Sequence, residues 1–456
     1  MARDVVDAEI VESRDDLVAW LEAGCKPADA FRVGVEHEKI PFYKPDLTPV
    51  PYEGRRGVGA LLEGMRGRLG WEGIEDDGKL IGLLDPRGGA AISLEPGGQF
   101  ELSGAALATV HEVAGELDAH LRHAHAVADG LGIGFLALGV SPKWSLAETP
   151  AMPKSRYRIM ARYMPRVGTR GLDMMFRTAT VQANLDFSDE ADMVAKLRVG
   201  LALQPVITAL FANSPFIDGA SSGFLSERSE IWRRTDGART GMLPFAFEPG
   251  MGFERYVDYA LDVPLYFVKR GAIYHDVAGA SFRDLLAGRL AALPGERATI
   301  SDWANHLSTI FPEVRLKRYL EMRGADVGPA ERVRALPALM VGLYYDRQAL
   351  AAAGDLVAGW SAAERQSLRD EAPRLGLAAR VAGREARAVA REALAIARGG
   401  LARRARRDAE GRDESIYLAP LDEIVADGRV PAQRWIDRFD GAWGRRVEPA
   451  FDEAIM

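Results

Sequence analysis

Carboxylates set inside apolar or glycine-rich runs are the feature that most constrains how this chain can fold. They occur in residues 35–38 (VEHE), in residues 93–101 (SLEPGGQFE) and in residues 319–323 (YLEMR). A carboxylate is rarely buried in a protein unless it is paired or binds a cation. Because these runs are spread over most of the chain, they predict one oxygen-rich metal site assembled from distant segments.

The first of these runs has the alternation of a β-strand. Residues 31–40 predict a strand, and side chains two residues apart share one face of a strand. Glu36 and Glu38 are therefore expected to project together, while His37 points to the opposite face.

Two further regions also predict strands. Residues 91–95 and 99–102 predict strand segments around a Pro-Gly-Gly turn. Residues 178–187 alternate between polar and apolar side chains, and Gln182 lies on the polar face.

Helical spacing dominates the last part of the chain, and no long linker separates it from the rest. We therefore predict an α+β fold and a single catalytic domain over residues 1–456. Within it, about 1–327 are expected to mix sheet and helix, and about 328–456 to be mainly helical.

The charge balance indicates which partners to expect. The chain of 456 residues has 58 Lys and Arg against 65 Asp and Glu, a net charge of -7. Nucleic-acid binding needs concentrated positive charge, so we expect no nucleic acid as main partner. No run reaches the ~18 or more apolar residues of a membrane span, so we expect no membrane either.

The N-terminus and the cysteine content predict a cytoplasmic protein. Residues 1–9 are too acidic for a signal or transit peptide. Cys25 is the single cysteine, so no intramolecular disulfide can form, as is usual in a reducing compartment.

Five glutamates form the candidate metal site. Hard cations such as Mg²⁺ prefer oxygen ligands and bridge protein carboxylates to substrate phosphates. The alternative is that each glutamate pairs with an arginine or lies at an exposed sheet edge. The five residues are Glu36, Glu38, Glu95, Glu101 and Glu321.

Arg323 extends this site. It is two residues from Glu321 on an expected strand, so the two side chains share a face. The pair would offer a metal ligand next to a cation that faces a phosphate, as phosphoryl transfer requires.

Arginines and aromatics predict where a substrate binds. Arginine holds a carboxylate with two parallel hydrogen bonds, and binding groups are common in loops. Ordinary surface salt bridges are an equal alternative. The candidates are Arg156, Arg228, Trp232, Arg239 and Tyr266.

A different class of function is suggested by residues 219–223 (GASSG), which match the nucleophile-elbow pattern of serine hydrolases around Ser221. That motif needs an apolar strand before it and a helix after it. The preceding residues 213–218 (NSPFID) instead favour a loop.

Several longer motifs resemble the glutamate–cysteine ligases of the plant and proteobacterial type. The resemblance extends from about Val33 to the C-terminal helices. It rests on residues 34–39 (GVEHEK), 92–104 (ISLEPGGQFELSG), 180–186 (TVQANLD), 239–245 (RTGMLPF) and 311–326 (FPEVRLKRYLEMRGAD).

This resemblance implies a glutamine-synthetase-like catalytic fold, in which helices surround a curved antiparallel sheet. It implies that ATP phosphorylates the side-chain carboxylate of L-glutamate. The amine of L-cysteine would then attack the acyl phosphate, giving γ-glutamylcysteine in the first step of glutathione biosynthesis. The implied cofactors are ATP and Mg²⁺, and the implied assembly is a monomer or homodimer.

The resemblance also assigns roles to single residues. The five glutamates match the family's Mg²⁺ ligands, and Glu321 and Arg323 are expected to be catalytic. Gln182 and Arg323 are expected near the nucleotide. Arg156, Arg228 and Tyr266 match positions expected to hold the amino-acid substrate. Plant members carry regulatory cysteine pairs, whereas this chain has Cys25 alone.

Two alternatives remain open on the sequence. A related ligase would join glutamate to a different amine, and a non-catalytic protein would bind nucleotide without turnover.

Overall fold

The protein is described by a computed structural model that covers residues 8–456. Residues 1–7, on which much of the argument about a leader peptide depends, lie outside the described residues. The structure contains helices and one large antiparallel sheet, together with four small two-stranded sheets.

The strands of the described residues are β1 (Val33–Tyr43), β2 (Glu72–Asp76), β3 (Lys79–Leu84), β4 (Ala91–Leu94), β5 (Phe100–Ser103), β6 (Ile133–Leu136), β7 (Thr180–Leu185), β8 (Phe216–Ile217), β9 (Ala220–Ser221), β10 (Thr240–Gly241), β11 (Phe267–Arg270), β12 (Ile273–Asp276), β13 (Phe311–Pro312), β14 (Val314–Leu316), β15 (Leu320–Asp326), β16 (Arg380–Val381) and β17 (Arg384–Glu385).

The α-helices of the described residues are α1 (Arg14–Glu22), α2 (Val58–Leu69), α3 (Val110–Leu131), α4 (Ser155–Val167), α5 (Gly171–Arg177), α6 (Glu190–Phe211), α7 (Glu227–Arg233), α8 (Phe253–Asp262), α9 (Phe282–Leu286), α10 (Ile300–Leu307), α11 (Ala330–Tyr344), α12 (Arg347–Val357), α13 (Ala362–Leu375), α14 (Ala386–Arg404), α15 (Ala419–Asp427), α16 (Pro431–Asp440) and α17 (Ala450–Glu453).

The large sheet brings distant parts of the chain side by side. Its strand order is β14-β15-β7-β1-β5-β4-β3-β2, and β6 also pairs with β1. All of these pairs are antiparallel. The register places Glu36 opposite Gln182 and Glu38 opposite Glu101, so three separate motifs meet on the central strands.

The two faces of β1 have different surroundings, as the alternation predicts. His37 is buried and packs edge-on against His120 of α3, with 5.5 Å between ring centroids. The glutamates of β1 lie on the other face. Thr109 caps the start of helix α3, and its hydroxyl accepts from the backbone N–H of Glu112.

Helix α6 is the core helix of the molecule. By length and composition alone it would pass for a membrane span, but 89% of its apolar window is buried inside the fold. Pro205 lies within it. It packs against β15 and against the helices α12, α13 and α14.

The C-terminal helices share their core with the sheet. Helix α11 packs against β7 on one side and against α14 on the other. One hydrophobic cluster includes Val181 of β7, Leu339 of α11 and Leu394 of α14. This packing supports the single catalytic domain, which stays a prediction.

Candidate active site

A cavity of about 110 Å³ opens on the face of the sheet that carries Glu36 and Glu38. The strands β1, β5 and β7 form its floor, and α4 and α7 contribute to its walls. Nine residues expected from the sequence line it: Glu36, Glu38, Glu95, Glu101, Arg156, Gln182, Arg228, Trp232 and Arg323. Glu321, Arg239 and Tyr266 were also expected there, and they do not line it.

The turn between β4 and β5 positions Glu95. Its backbone N–H donates to the carbonyl of Gln99 (2.9 Å), and Gly98 adopts a φ of +88°, which glycine tolerates. The Gln99 side chain accepts from Gly97 N and donates to the carbonyl of Thr178. The turn therefore ties one acid to the segment before β7.

The carboxylates in this cavity repel one another. Burial and the neighbouring Glu95 and Glu101 raise the pKa of Glu38 well above its ordinary value. Burial and Glu101 also raise the pKa of Glu95. Groups with these shifts gain from a cation that neutralises them.

Three of the four acids accept hydrogen bonds that hold their carboxylates in place. Glu38 accepts from the backbone N–H of Thr180 (2.9 Å). Glu36 accepts from the amide of Asn184 (2.9 Å). Glu101 accepts from two serines, Ser93 (2.9 Å) and Ser103 (2.6 Å).

The donor chemistry fits Mg²⁺, since four carboxylates and the Gln182 amide face one cavity. Among residues 8–456, however, no three acidic, histidine or cysteine side chains are grouped closely enough to hold one ion. The ligands would therefore have to move together to bind a cation.

Glu321 is surrounded by cations, whereas the other four glutamates have acids as neighbours or line the cavity. Its carboxylate is fully buried and pairs with Arg315 (2.7 Å), with Lys317 (3.0 Å) and with Arg323. Burial acts to raise its pKa, but these three cations hold the pKa of Glu321 well below its ordinary value. In this structure the Glu321 carboxylate is the counter-ion of three cations, and its assignment as a metal ligand stays a prediction.

Arginines and a tryptophan form the opposite side of the cavity. The guanidinium of Arg228 donates to the carbonyl of Arg323 (2.8 Å) and lies 5.9 Å from the ring centroid of Trp232. Arg323 donates to the Gln182 side chain (2.7 Å). Within residues 8–456, Trp232 Nε1 and Arg228 Nε are buried without a hydrogen-bond partner. Both donors are suited to a polar ligand.

Arg239 and Tyr266 do not line the cavity, and their assignment as substrate binders stays a prediction that this structure does not favour. Arg239 is fully buried; it pairs with Asp236 (2.7 Å) and donates to the carbonyls of Thr309 and Pro264. Its guanidinium lies 3.8 Å from the ring centroid of Tyr266. Every polar group of this arginine is used within the fold.

Two cations beside the candidate site were not singled out in the sequence. Arg315 and Lys317 both contact Glu321, and Arg315 also lines the cavity. Their i, i+2 spacing would have placed them on one face of a strand. Only the pairing of β14 with β15, which sets Arg315 opposite Glu321, identifies what that face meets.

The serine-hydrolase alternative is wrong. Ser221 is exposed on the two-residue strand β9, which forms a small hairpin with β8. It does not lie on a sharp turn from a strand into a helix, which the nucleophile elbow requires.

Comparisons with known proteins identify the family of this chain. The model of glutamate-cysteine ligase family 2 matches residues 32–453. The chloroplastic glutamate–cysteine ligase of Arabidopsis thaliana is 52% identical over 443 residues, which cover 97% of this chain and 83% of the relative. That of Nicotiana tabacum is 51% identical over 452 residues, covering 99% and 84%.

A crystal structure of the glutamate–cysteine ligase from Francisella tularensis in complex with AMP has a similar fold. It superposes with a TM-score of 0.51 at 13% identity, covering 90% of this chain and 85% of that one. The α+β prediction, with an antiparallel sheet, surrounding helices and a helical C-terminal part, is confirmed.

The chain belongs to glutamate-cysteine ligase family 2. The resemblance seen in the sequence is thereby confirmed. The prediction of a cytoplasmic location is wrong on this comparison, because the curated relatives from Arabidopsis thaliana, Nicotiana tabacum and Oryza sativa subsp. japonica are all named chloroplastic.

Proposed function

We propose that this protein uses ATP and Mg²⁺ to join the side-chain carboxylate of L-glutamate to the amine of L-cysteine. The product is γ-glutamylcysteine, and ADP and phosphate are released. The observation that carries the proposal is one cavity in which four glutamates face arginines from α7 and β15. The family relationship supports the same reaction.

The acidic side of the cavity is suited to the nucleotide. Glu36, Glu38, Glu95 and Glu101 would hold Mg²⁺, and Gln182 lies between them and Arg323. When bound, the metal would neutralise charge on the phosphate oxygens. Mutual repulsion among these acids is then relieved, which favours binding of the cation.

The cationic side is suited to the phosphoryl group in transfer. Arg315, Lys317 and Arg323 surround the single carboxylate of Glu321, so three positive groups meet one negative group. Arg315 and Arg323 reach the cavity. Glu321 thus acts as a positioning residue, and Arg323 is the residue that contacts the phosphoryl group.

Arg156, Arg228 and Trp232 are the proposed glutamate-binding residues. The unpaired Nε of Arg228 and indole N–H of Trp232 provide two donors for a carboxylate. In this reaction the γ-carboxylate takes the phosphoryl group, and the amine nitrogen of cysteine then displaces phosphate and loses a proton. The acyl phosphate needs protection from water, as in a small closed cavity.

The size of the cavity requires movement on binding. It measures about 110 Å³, whereas sites for ligands of this size measure about 300 Å³ or more. We infer that α4 and α7, which carry Arg156 and Trp232, shift away from the sheet as substrates enter. The chain is proposed to act as one catalytic domain, as a monomer or homodimer, on small molecules and without nucleic acid or membrane.

The proposal is tested by ADP release from the purified protein. With ATP, Mg²⁺ and glutamate present, cysteine is expected to stimulate release more than any other amine in a panel. The Glu38→Gln variant should lose about 100-fold or more of the activity. Exposed Ser221→Ala serves as the control and should keep full activity.

The alternatives give different results in the same assay. Equal stimulation by another amine would assign the chain to a related ligase. Nucleotide binding without cysteine-dependent release would make it a non-catalytic binding protein.

A further inference from the structure

A second cavity, of about 750 Å³, lies between α6, α12 and the start of α13. It shares no lining residue with the candidate active site within the described part of the chain. Its walls are mostly apolar, and the bulky residues among them are Val199, Phe247, Leu350, Val357 and Trp360.

Three arginines also line this cavity: Arg198, Arg347 and Arg365. None of them forms an ion pair with a carboxylate of residues 8–456. Arg198 donates to the carbonyls of Ala246 (2.7 Å) and Glu248 (2.9 Å). Arg365 lies 3.5 Å from the ring centroid of Phe247 and donates to the carbonyl of Trp360.

Three carboxylates close to the cavity in sequence form other contacts. Asp346, which precedes α12, pairs with Arg403 (2.6 Å). Glu364 accepts from the backbone and hydroxyl of Ser361 (2.8 Å each). Glu248 pairs with Arg255. The cavity therefore combines an apolar interior with three arginines that form no ion pair within the described residues.

We propose that this cavity binds an amphipathic organic anion, with an aliphatic or aromatic body and a carboxylate head. The volume is within the range of sites for such ligands, about 300–1,000 Å³. The guanidinium fork matches a carboxylate with two parallel hydrogen bonds. Apolar walls without these arginines would suit a neutral ligand equally well, so the arginines select the charge.

The test is calorimetric titration of the full chain with decanoate, and with decan-1-ol as the neutral counterpart. The double variant Arg347→Gln/Arg365→Gln is expected to weaken decanoate binding about tenfold or more. Binding of decan-1-ol should be weaker from the start and unchanged by the variant. Arg445→Gln, at an exposed arginine that does not line the cavity, is the control.

A second pair of variants tests the location. Ala351 is exposed and lines the cavity, whereas Ala363 is exposed and does not. Ala351→Trp should fill the cavity and abolish decanoate binding, and Ala363→Trp should leave binding unchanged. Both should retain ligase activity, because neither position lies at the active site.

Two outcomes would overturn the proposal. One is decanoate binding that the double arginine variant and Ala351→Trp leave unchanged. The other is that the wild type binds no decanoate and sediments as a dimer, and that Ala351→Trp dissociates this dimer. A second copy of the chain would then cover this face. Neither outcome depends on whether the ligase reaction is as proposed.

Discussion

At the scale of single residues, burial of charge determines what each glutamate can do. Glu38 and Glu321 are both buried on the large sheet. Glu38 has other acids as neighbours, so burial and repulsion raise its pKa. Glu321 has three cations as neighbours, and its pKa is lowered. The first is suited to binding a cation, and the second already has its counter-ions.

Glu38→Gln is expected to stabilise the metal-free protein. The folded-state pKa of Glu38 lies above its unfolded value of 4.5. The folded state therefore binds the extra proton, and stability falls as pH rises between the two values. The variant removes this loss, so its stability advantage should grow as the pH rises above the ordinary value of 4.5.

The measurement is thermal unfolding with and without Mg²⁺. Added Mg²⁺ should stabilise the wild type more than the variant. A variant that is less stable than wild type at every pH would contradict the repulsion argument.

Glu321→Gln is expected to destabilise the fold as well as reduce activity. The change leaves Arg315, Lys317 and Arg323 buried without a counter-ion, which costs about 3–5 kcal/mol. Urea unfolding measures the loss. The exposed pair of Glu53 with Lys79 is the control: Glu53→Gln should change stability by less than about 1 kcal/mol. An equally small change in the stability of Glu321→Gln would show that the ion pairs of Glu321 do not stabilise the fold.

At the scale of secondary-structure elements, the turn between β4 and β5 links packing to the site. Gly97 lies against the backbone carbonyl of Phe176, the last residue but one of α5. No side chain fits there without displacing the turn that carries Glu95. Glycine is needed at this position because of a close approach, not because of its backbone conformation.

Gly97→Ala is expected to cost about 1–3 kcal/mol and to raise the Mg²⁺ concentration needed for half-maximal activity. The added Cβ would collide with the Phe176 carbonyl and displace Glu95. Gly67→Ala, in α2, is the control because its Cβ would meet open space. That change should be neutral or stabilising by about 0.5–1 kcal/mol. If Gly97→Ala needs the same Mg²⁺ concentration as the wild type, the position of this turn does not affect metal binding.

At the scale of the whole molecule, the C-terminal helices are part of the core that supports the sheet. Gly342 of α11 and Gly400 of α14 let the two helices approach with backbone in contact. Because α11 also packs against β7, a shift of α14 is transmitted to a strand of the active site.

Gly400→Ala is expected to lower the unfolding temperature and to keep a single transition. Its Cβ would meet the carbonyl of Gly342, whereas that of Gly399 would meet only the flexible end of Arg403. Gly399→Ala is therefore the matched control and should change stability by less than about 1 kcal/mol. On heating, the loss of ligase activity and the loss of the helical circular dichroism signal should occur at the same temperature. Separate transitions for the two signals would contradict a single catalytic domain.

Strand alternation was the part of the site that could be predicted from the sequence. The period of two is a local property of the backbone, so it correctly placed Glu36 and Glu38 together and His37 on the other face. The alternation did not predict which side chains of other strands would lie next to these glutamates. Arg239 was expected at the substrate, and the structure uses it to connect Asp236 with two backbone carbonyls.

The sequence by itself determined the α+β class, the carboxylate-bearing strands and the family, because propensity, alternation and long motifs are all recorded along the chain. Only the tertiary structure decided which charges are neighbours. The pairing of β14 with β15 places Arg315 opposite Glu321, while the pairing of β1 with β5 places Glu38 opposite Glu101. The pKa of a buried charge depends on the neighbours that strand register brings close, and the pKa values of these two glutamates are therefore shifted in opposite directions.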